Sequence, residues 1–344
     1  MKFKKLIILI GIVILLLLLV SIKSCLQKSR LAVINKRDNN AVILVPGFPG
    51  AFASKITIYR GENKNDKIIF VRQNNGQWII ETKFGVKARQ DIVDNLLNNI
   101  NDLRGELMGE SRSLYRDFEI LDNQAANILL EGNKGNSLVH LAVSFKKPAF
   151  NRYFVRLAGS EKVILTDRDI LSAAGIFDKT TPLNANLFAD NKVFSFDPNS
   201  VNRIELKDSR KQTLILVRGE LSKKNPEGIW KFETDKPKSP KLEPAKIKEF
   251  LQNAATIRFL DSLDPKLAIY GFDRPFMEAA LDMAKDSKPS QIRILVGAHL
   301  KEKGTYYVQV MPQNQVFAIS EPFINNLNHD KTYFSVQQNK GKKK

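Results

Sequence analysis

A chain of 344 residues has room for two ordinary domains behind a short appendage. With 43% hydrophobic and 26% charged residues, and 21 phenylalanines, it reads as globular, which excludes a disordered or fibrous chain. The net charge of +18 invites a nucleic-acid reading, but residues 1–40 and 335–344 hold +7 and +4 of it, so the body carries no concentrated basic face and nucleic acid is excluded as a partner.

The first segment is MKFKKLIILIGIVILLLLLVSIKSC. Lys2, Lys4 and Lys5 precede seventeen uncharged residues, Leu6 to Ile22, which as a helix would span roughly 25 Å, the short end of a bilayer crossing. The apolar character runs all the way round, which argues against a surface amphipathic helix. The run exceeds the apolar region of a cleaved signal peptide, and VSIKSC offers no small-x-small cleavage site. An uncleaved signal anchor is the expectation. Lipidation of Cys25 and cleavage are the alternatives. The layout places the N-terminus in the cytoplasm and the bulk of the chain outside it, at a bacterial inner membrane, although Lys23, Lys28 and Arg30 make the charge bias slight. Membrane lipid around Leu6–Ile22 is thus an expected partner. Cys25 is the only cysteine, so neither an intramolecular disulfide nor a cysteine metal cluster can form.

Beyond a lead-in, the body is written twice. Trp78 in GQWIIET and Trp230 in GIWKFET are 152 residues apart. Upstream, IIFVR (68–72) matches LILVR (214–218), and ITIYR (56–60) matches IELKD (204–208), each with the period-two pattern of a strand. Downstream, Val93, Leu96, Leu97, Ile100 and Leu103 recur 154 residues later as Ile247, Phe250, Leu251, Ala254 and Ile257, one helical stripe in each copy. Tyr115 matches Tyr270. YFVRL (153–157) matches YYVQV (306–310), and KVILT (162–166) matches QVFAI (315–319). Each copy closes on a short helical pattern, DRDILSAAG or SEPFINNL. The expected fold class is α+β: an N-terminal single transmembrane helix, then two tandem repeats of a mainly antiparallel sheet with packed helices. The expected divisions are a cytoplasmic tip and anchor over 1–30, a lead-in over 31–54, modules over 55–180 and 181–334, and a basic tail over 335–344.

These residues resemble a bacterial family known as domain of unknown function 4340. The likeness rests on LVPGFPG (44–50), GIWKFETDKP (228–237), the helix 245–260, IYGFDRP (269–275) and TYYVQV (305–310). In the first copy LYRDFEI (114–120) stands where the Gly-x-Asp-Pro stretch should be. The resemblance implies a membrane-anchored, extracytoplasmic accessory of an ABC-type exporter or other envelope complex. It supplies no catalytic residue.

No chemical motif emerges from the residues. His140 lies in a strand pattern, His299 before a charged turn and His329 in a polar loop, without metal-ligand spacing. PGFPG (46–50) lacks the Lys-Ser/Thr of a phosphate loop and reads as a rigid turn. Asp167 suits a helix N-cap better than a carboxylate pair with Asp169. Glu81 and Glu233 read as exposed strand positions. Trp78, Trp230, Tyr153, Tyr306 and Tyr307 read first as core. No catalytic, cofactor or metal residue is assigned and no cofactor is expected. The leading expectation is a non-enzymatic scaffold that binds a membrane-protein partner. A polysaccharide- or lipid-binding module is the alternative, and an enzyme comes third.

Overall fold

A computed structural model describes residues 41–336 apart from 62, 102, 150, 220–227, 235–239, 285–289 and 312. The expected anchor Leu6–Ile22, Cys25 and the lysines of the tail lie outside the described residues. Contacts divide the chain into two units, one of 41–76 with Gln90–Asn184 and one of Gln77–Arg89 with Ala185 onward.

The chain opens with β1 (Ala41–Ile43), β2 (Ala53–Arg60) and β3 (Asn63–Arg72). Next come β4 (Trp78–Ile80) and β5 (Val86–Lys87), which belong to the second unit. The first unit resumes with α1 (Gln90–Asn101), β6 (Arg104–Glu110), α2 (Leu114–Asp117), β7 (Ala126–Gly132), β8 (Ser137–Val143), β9 (Tyr153–Leu157), β10 (Lys162–Thr166) and α3 (Ile170–Ala173). Its strands lie in the order β1-β6-β10-β9-β8-β7-β2-β3, with antiparallel neighbours. Alternation along β2 turns Ile56 and Ile58 inward, where both are fully buried beside Ile68, Phe70, Ile128 and Leu130. The stripe on α1 buries Val93, Leu96 and Ile100.

The second unit continues with β11 (Lys192–Ser195), β12 (Val201–Asp208), β13 (Thr213–Arg218), β14 (Trp230–Phe232), α4 (Pro244–Ala254), β15 (Thr256–Arg258), β16 (Asp261–Leu263), β17 (Met277–Met283), β18 (Gln291–Leu300), β19 (Thr305–Met311), β20 (Gln315–Ser320) and α5 (Glu321–Asn325). The sheet order is β14-β13-β12-β17-β18-β19-β20-β16, with β11 paired to β15 alone. Pro244 opens α4, where a missing N–H costs nothing, and Ile247, Phe250, Leu251 and Ala254 are its buried face.

The registers of the two sheets follow the sequence offsets. Ile56 and Ile58 face Phe70 and Ile68 across β2–β3, and Ile204 and Leu206 face Leu216 and Leu214 across β12–β13. Tyr153 faces Thr166, and Tyr306 faces Ile319. The segments after each tryptophan are tied down alike. Ala88 bridges Ala189, as Leu242 bridges Ser335. Arg89 N–H donates to the Phe188 carbonyl at 2.7 Å and Glu243 N–H to that of Phe334 at 2.8 Å. Asp190 N–H donates to the Lys87 carbonyl and Val336 N–H to that of Lys241, both at 2.8 Å.

The expected fold class is corrected. The described chain is mostly antiparallel β-sheet, which conflicts with the expected N-terminal transmembrane helix and packed helices of an α+β fold. Its helices are one of 12 residues, one of 11 and three of four or five. The closing patterns DRDILSAAG and SEPFINNL yield only about one turn each, because each supplies too few periodic apolar residues to extend further. No helix among the described residues is long and apolar enough to cross a membrane.

Candidate functional site

The second unit contains a cavity of about 560 Å³. Its walls come from the β12–β13 hairpin, from Phe232 and Thr234 at the end of β14, from Phe276 and Met277, and from the C-terminal stretch Asn328–Lys331 with Tyr333. The C-terminal stretch is shaped by Asp330. Its carboxylate accepts from the backbone N–H groups of Thr332 (2.9 Å) and Tyr333 (3.2 Å) and from the Thr332 hydroxyl. The Thr332 hydroxyl is the largest influence holding the Asp330 carboxyl below the ordinary carboxylate range.

This turn stacks His329 on Tyr333, with ring centroids 3.6 Å apart and planes 2° from parallel. Phe250 and Phe334 meet the imidazole edge-on at 6.4 and 6.2 Å. Burial is the largest influence lowering the imidazole pKa, which favours the neutral ring. Two lysines, Lys331 in the wall and Lys246 on α4, sit over rings. Lys331 Nζ lies 4.3 Å above Phe232, and Lys246 Nζ lies 5.0 Å above Tyr333 while pairing with Glu249 at 2.9 Å. Lys207 pairs with Glu278 and Arg210 with Asp208. The result is a cavity with aromatic rings and both acidic and basic side chains in its wall. Among the described residues no three His, Cys, Asp or Glu are grouped to hold a metal.

A smaller hollow of about 240 Å³ lies beside β14, lined by Pro198, Arg218, Trp230, Pro244, Ile247 and Leu251. The Arg218 guanidinium is 6.0 Å from the Trp230 ring, and Ile229 next to it is 64% exposed. The two tryptophans therefore differ. Trp78 is 1% exposed and anchors a core, whereas Trp230 is half-buried on a strand at the end of its sheet.

The histidines do not converge. His140 Nε2 lies 3.0 Å from Asn127 Oδ1 in the first unit. His299 stacks on Tyr306 at 4.3 Å and meets Glu321 at 3.2 Å in the second. Only His329 lines the larger cavity. The N-cap of α3 is Asp169, which accepts from Ser172 N–H at 3.1 Å, not the expected Asp167: the helix begins at Ile170, one residue after Asp169. Asp169 also faces Tyr153, whose burial and that neighbour push its hydroxyl up to about 12. Glu81 falls in a 3-10 turn (Glu81–Lys83) rather than on a strand, and Glu233 lies beyond β14, 3.4 Å from Arg203. In PGFPG, Gly47 has φ +64°, a left-handed turn that favours glycine. Tyr306 is buried, and Tyr307 packs edge-on to Tyr270 at 4.8 Å. Sequence reading missed the aromatic stack of NHDKTYF (328–334). The run His-x3-Tyr-Phe was its signal.

A family model described as domain of unknown function (DUF4340) matches residues 78–275, more than half of the chain. No curated protein and no solved structure matches it.

Proposed function

We propose, for a chain that belongs to the DUF4340 family, that its body is two copies of one module acting as a non-enzymatic binding or scaffolding subunit of an envelope complex. In this reading the apolar sequence Leu6–Ile22 keeps the protein at the bacterial cell membrane. The body lies outside the cytoplasm against a membrane-protein partner, an ABC-type transporter being the leading candidate. Duplication is supported by the shared strand order and by the matching backbone bonds Arg89–Phe188 and Glu243–Phe334.

The observation that carries the binding role is β14. Among the described residues it ends its sheet, pairs with β13 on one side, and presents a half-buried Trp230 beside the exposed Ile229. An open strand end with an adjacent aromatic hollow is a surface for strand addition or side-chain capture.

The test is purification of the full chain in mild detergent with crosslinking and mass spectrometry. A reproducible membrane-protein partner is expected. Recovery of the protein alone, crosslinked samples included, would remove the subunit reading.

A further inference from the structure

The first unit holds an open hollow of about 790 Å³. Its wall comes from the 3-10 turn Gly50–Phe52 with the start of β2, from the end of β3 with the residues just after it, and from the β7–β8 turn. Each turn is closed by its own backbone. Phe52 N–H donates to the Pro49 carbonyl at 2.9 Å, Gly76 N–H to that of Gln73 at 2.8 Å, and Gly135 N–H to that of Gly132 at 2.8 Å. Gly76 and Gly135 take φ of +84° and +72°, which favours glycine at both corners. Arg72 ties two of the turns together: its Nη1 donates to the Ala51 carbonyl at 3.0 Å and its Nε to the Gly76 carbonyl at 3.3 Å.

The frame of the hollow is thus set without its amide side chains. Gln73, Asn74, Asn133, Asn136 and Lys134 line it and are exposed, and none has a side-chain hydrogen bond or ion pair among the described residues. Polar side chains in turns commonly bond their own backbone, as Asp208 and Asp330 do in the second unit. Beside these amides Phe52 is 75% exposed, with no other aromatic ring against it among the described residues. The lining contains no carboxylate, and with Arg72 engaged on two carbonyls, Lys134 is its free charge.

This set of groups selects a ligand class. An amide offers donors and an acceptor together, which matches a sugar hydroxyl, itself donor and acceptor; a phosphate oxygen only accepts. The face of a phenyl ring carries partial negative charge and suits the C–H face of a pyranose. An ammonium adds a charge-assisted bond to a carboxylate. A single-stranded nucleic acid would also stack on Phe52, but it needs a cationic groove along its phosphates, and the lining lacks one.

We propose that this hollow binds an acidic oligosaccharide, a chain of pyranoses bearing uronic carboxylates. Phe52 lies under a sugar ring, the four amides meet its hydroxyls, and Lys134 meets a carboxylate. The site belongs to the first unit and makes no use of β14, so it stands whether or not a membrane-protein partner is found.

The test is isothermal titration of the full-length chain in mild detergent with tetragalacturonate, against cellotetraose and oligothymidylate. Tetragalacturonate should bind, cellotetraose should bind more weakly, and oligothymidylate should give no heat. Phe52→Ala should weaken both sugars about tenfold, and Lys134→Gln should bring tetragalacturonate down to the level of cellotetraose. Both side chains are exposed, so thermal unfolding should be the same in each variant as in the parent, which separates lost binding from lost fold. Amide exchange should show new protection over 73–76 and 132–136 when tetragalacturonate is added. No heat from tetragalacturonate at millimolar concentration, tighter binding of oligothymidylate or cellotetraose, or tetragalacturonate binding indifferent to both substitutions would overturn the proposal.

Discussion

Trp78 lies on the same strand of the sequence pattern as Trp230, yet Trp78 is 1% exposed while Trp230 stays half-buried. Strand β5 lies alongside β4, pairing Ile79 with Lys87 and Ile80 with Val86. Among the described residues, β14 has no such second neighbour. A pattern that predicts equal anchors therefore yields one fully buried residue and one half-buried residue.

Trp78→Ala should cost about 3–5 kcal/mol, the range for emptying a buried aromatic site. Trp230→Ala should cost less, because its ring is only half-buried. Denaturant unfolding followed by circular dichroism checks both. Equal losses would mean that Trp230 is as deeply packed as its partner in the pattern.

Acid should loosen the C-terminal turn. His329 has a pKa lowered by burial and Asp330 one lowered first by the Thr332 hydroxyl. A lowered folded pKa gives stability that is present above the unfolded value and lost as pH falls through the folded one. For His329 the loss begins below its ordinary value of about 6.5, and for Asp330 below about 3.9. His329→Phe should flatten the upper part of this profile while keeping the stack on Tyr333. Amide exchange at Thr332 and Tyr333 between pH 7 and pH 4 reads it. A slope unchanged by the substitution would contradict the assignment.

Asn127 is fully buried and spans three groups: its amide donates to the carbonyls of Asp122 (2.9 Å) and Ala125 (3.1 Å), and its oxygen faces His140. Asn127→Leu leaves those groups unsatisfied inside the first unit and should cost about 1–3 kcal/mol. Thermal unfolding checks it. An unchanged midpoint would show that water takes over the bonds.

Local periodicity made β2, β3, β12, β13 and the stripes of α1 and α4 legible, because alternation and helical spacing are written in neighbouring residues. The strand registers recur at the repeat offset, with Tyr153 and Tyr306 facing Thr166 and Ile319, although no strand partner was written in the sequence. The balance of helix to sheet was misread, since short apolar patterns such as ILSA and EPFIN do not declare how briefly they hold a helix. The candidate site was nearly invisible. Phe232, Lys246 and Tyr333 meet only through tertiary packing, and the exposure of Trp230 depends on whether another strand lies beside its own.

The measurement that tests the binding account most directly is photo-crosslinking in living cells from an unnatural residue placed at Ile229, beside the open strand, against the same residue at the buried Ile80. The account predicts adducts to another membrane-associated protein from position 229 and none from position 80. Intrachain products alone at position 229 would contradict it.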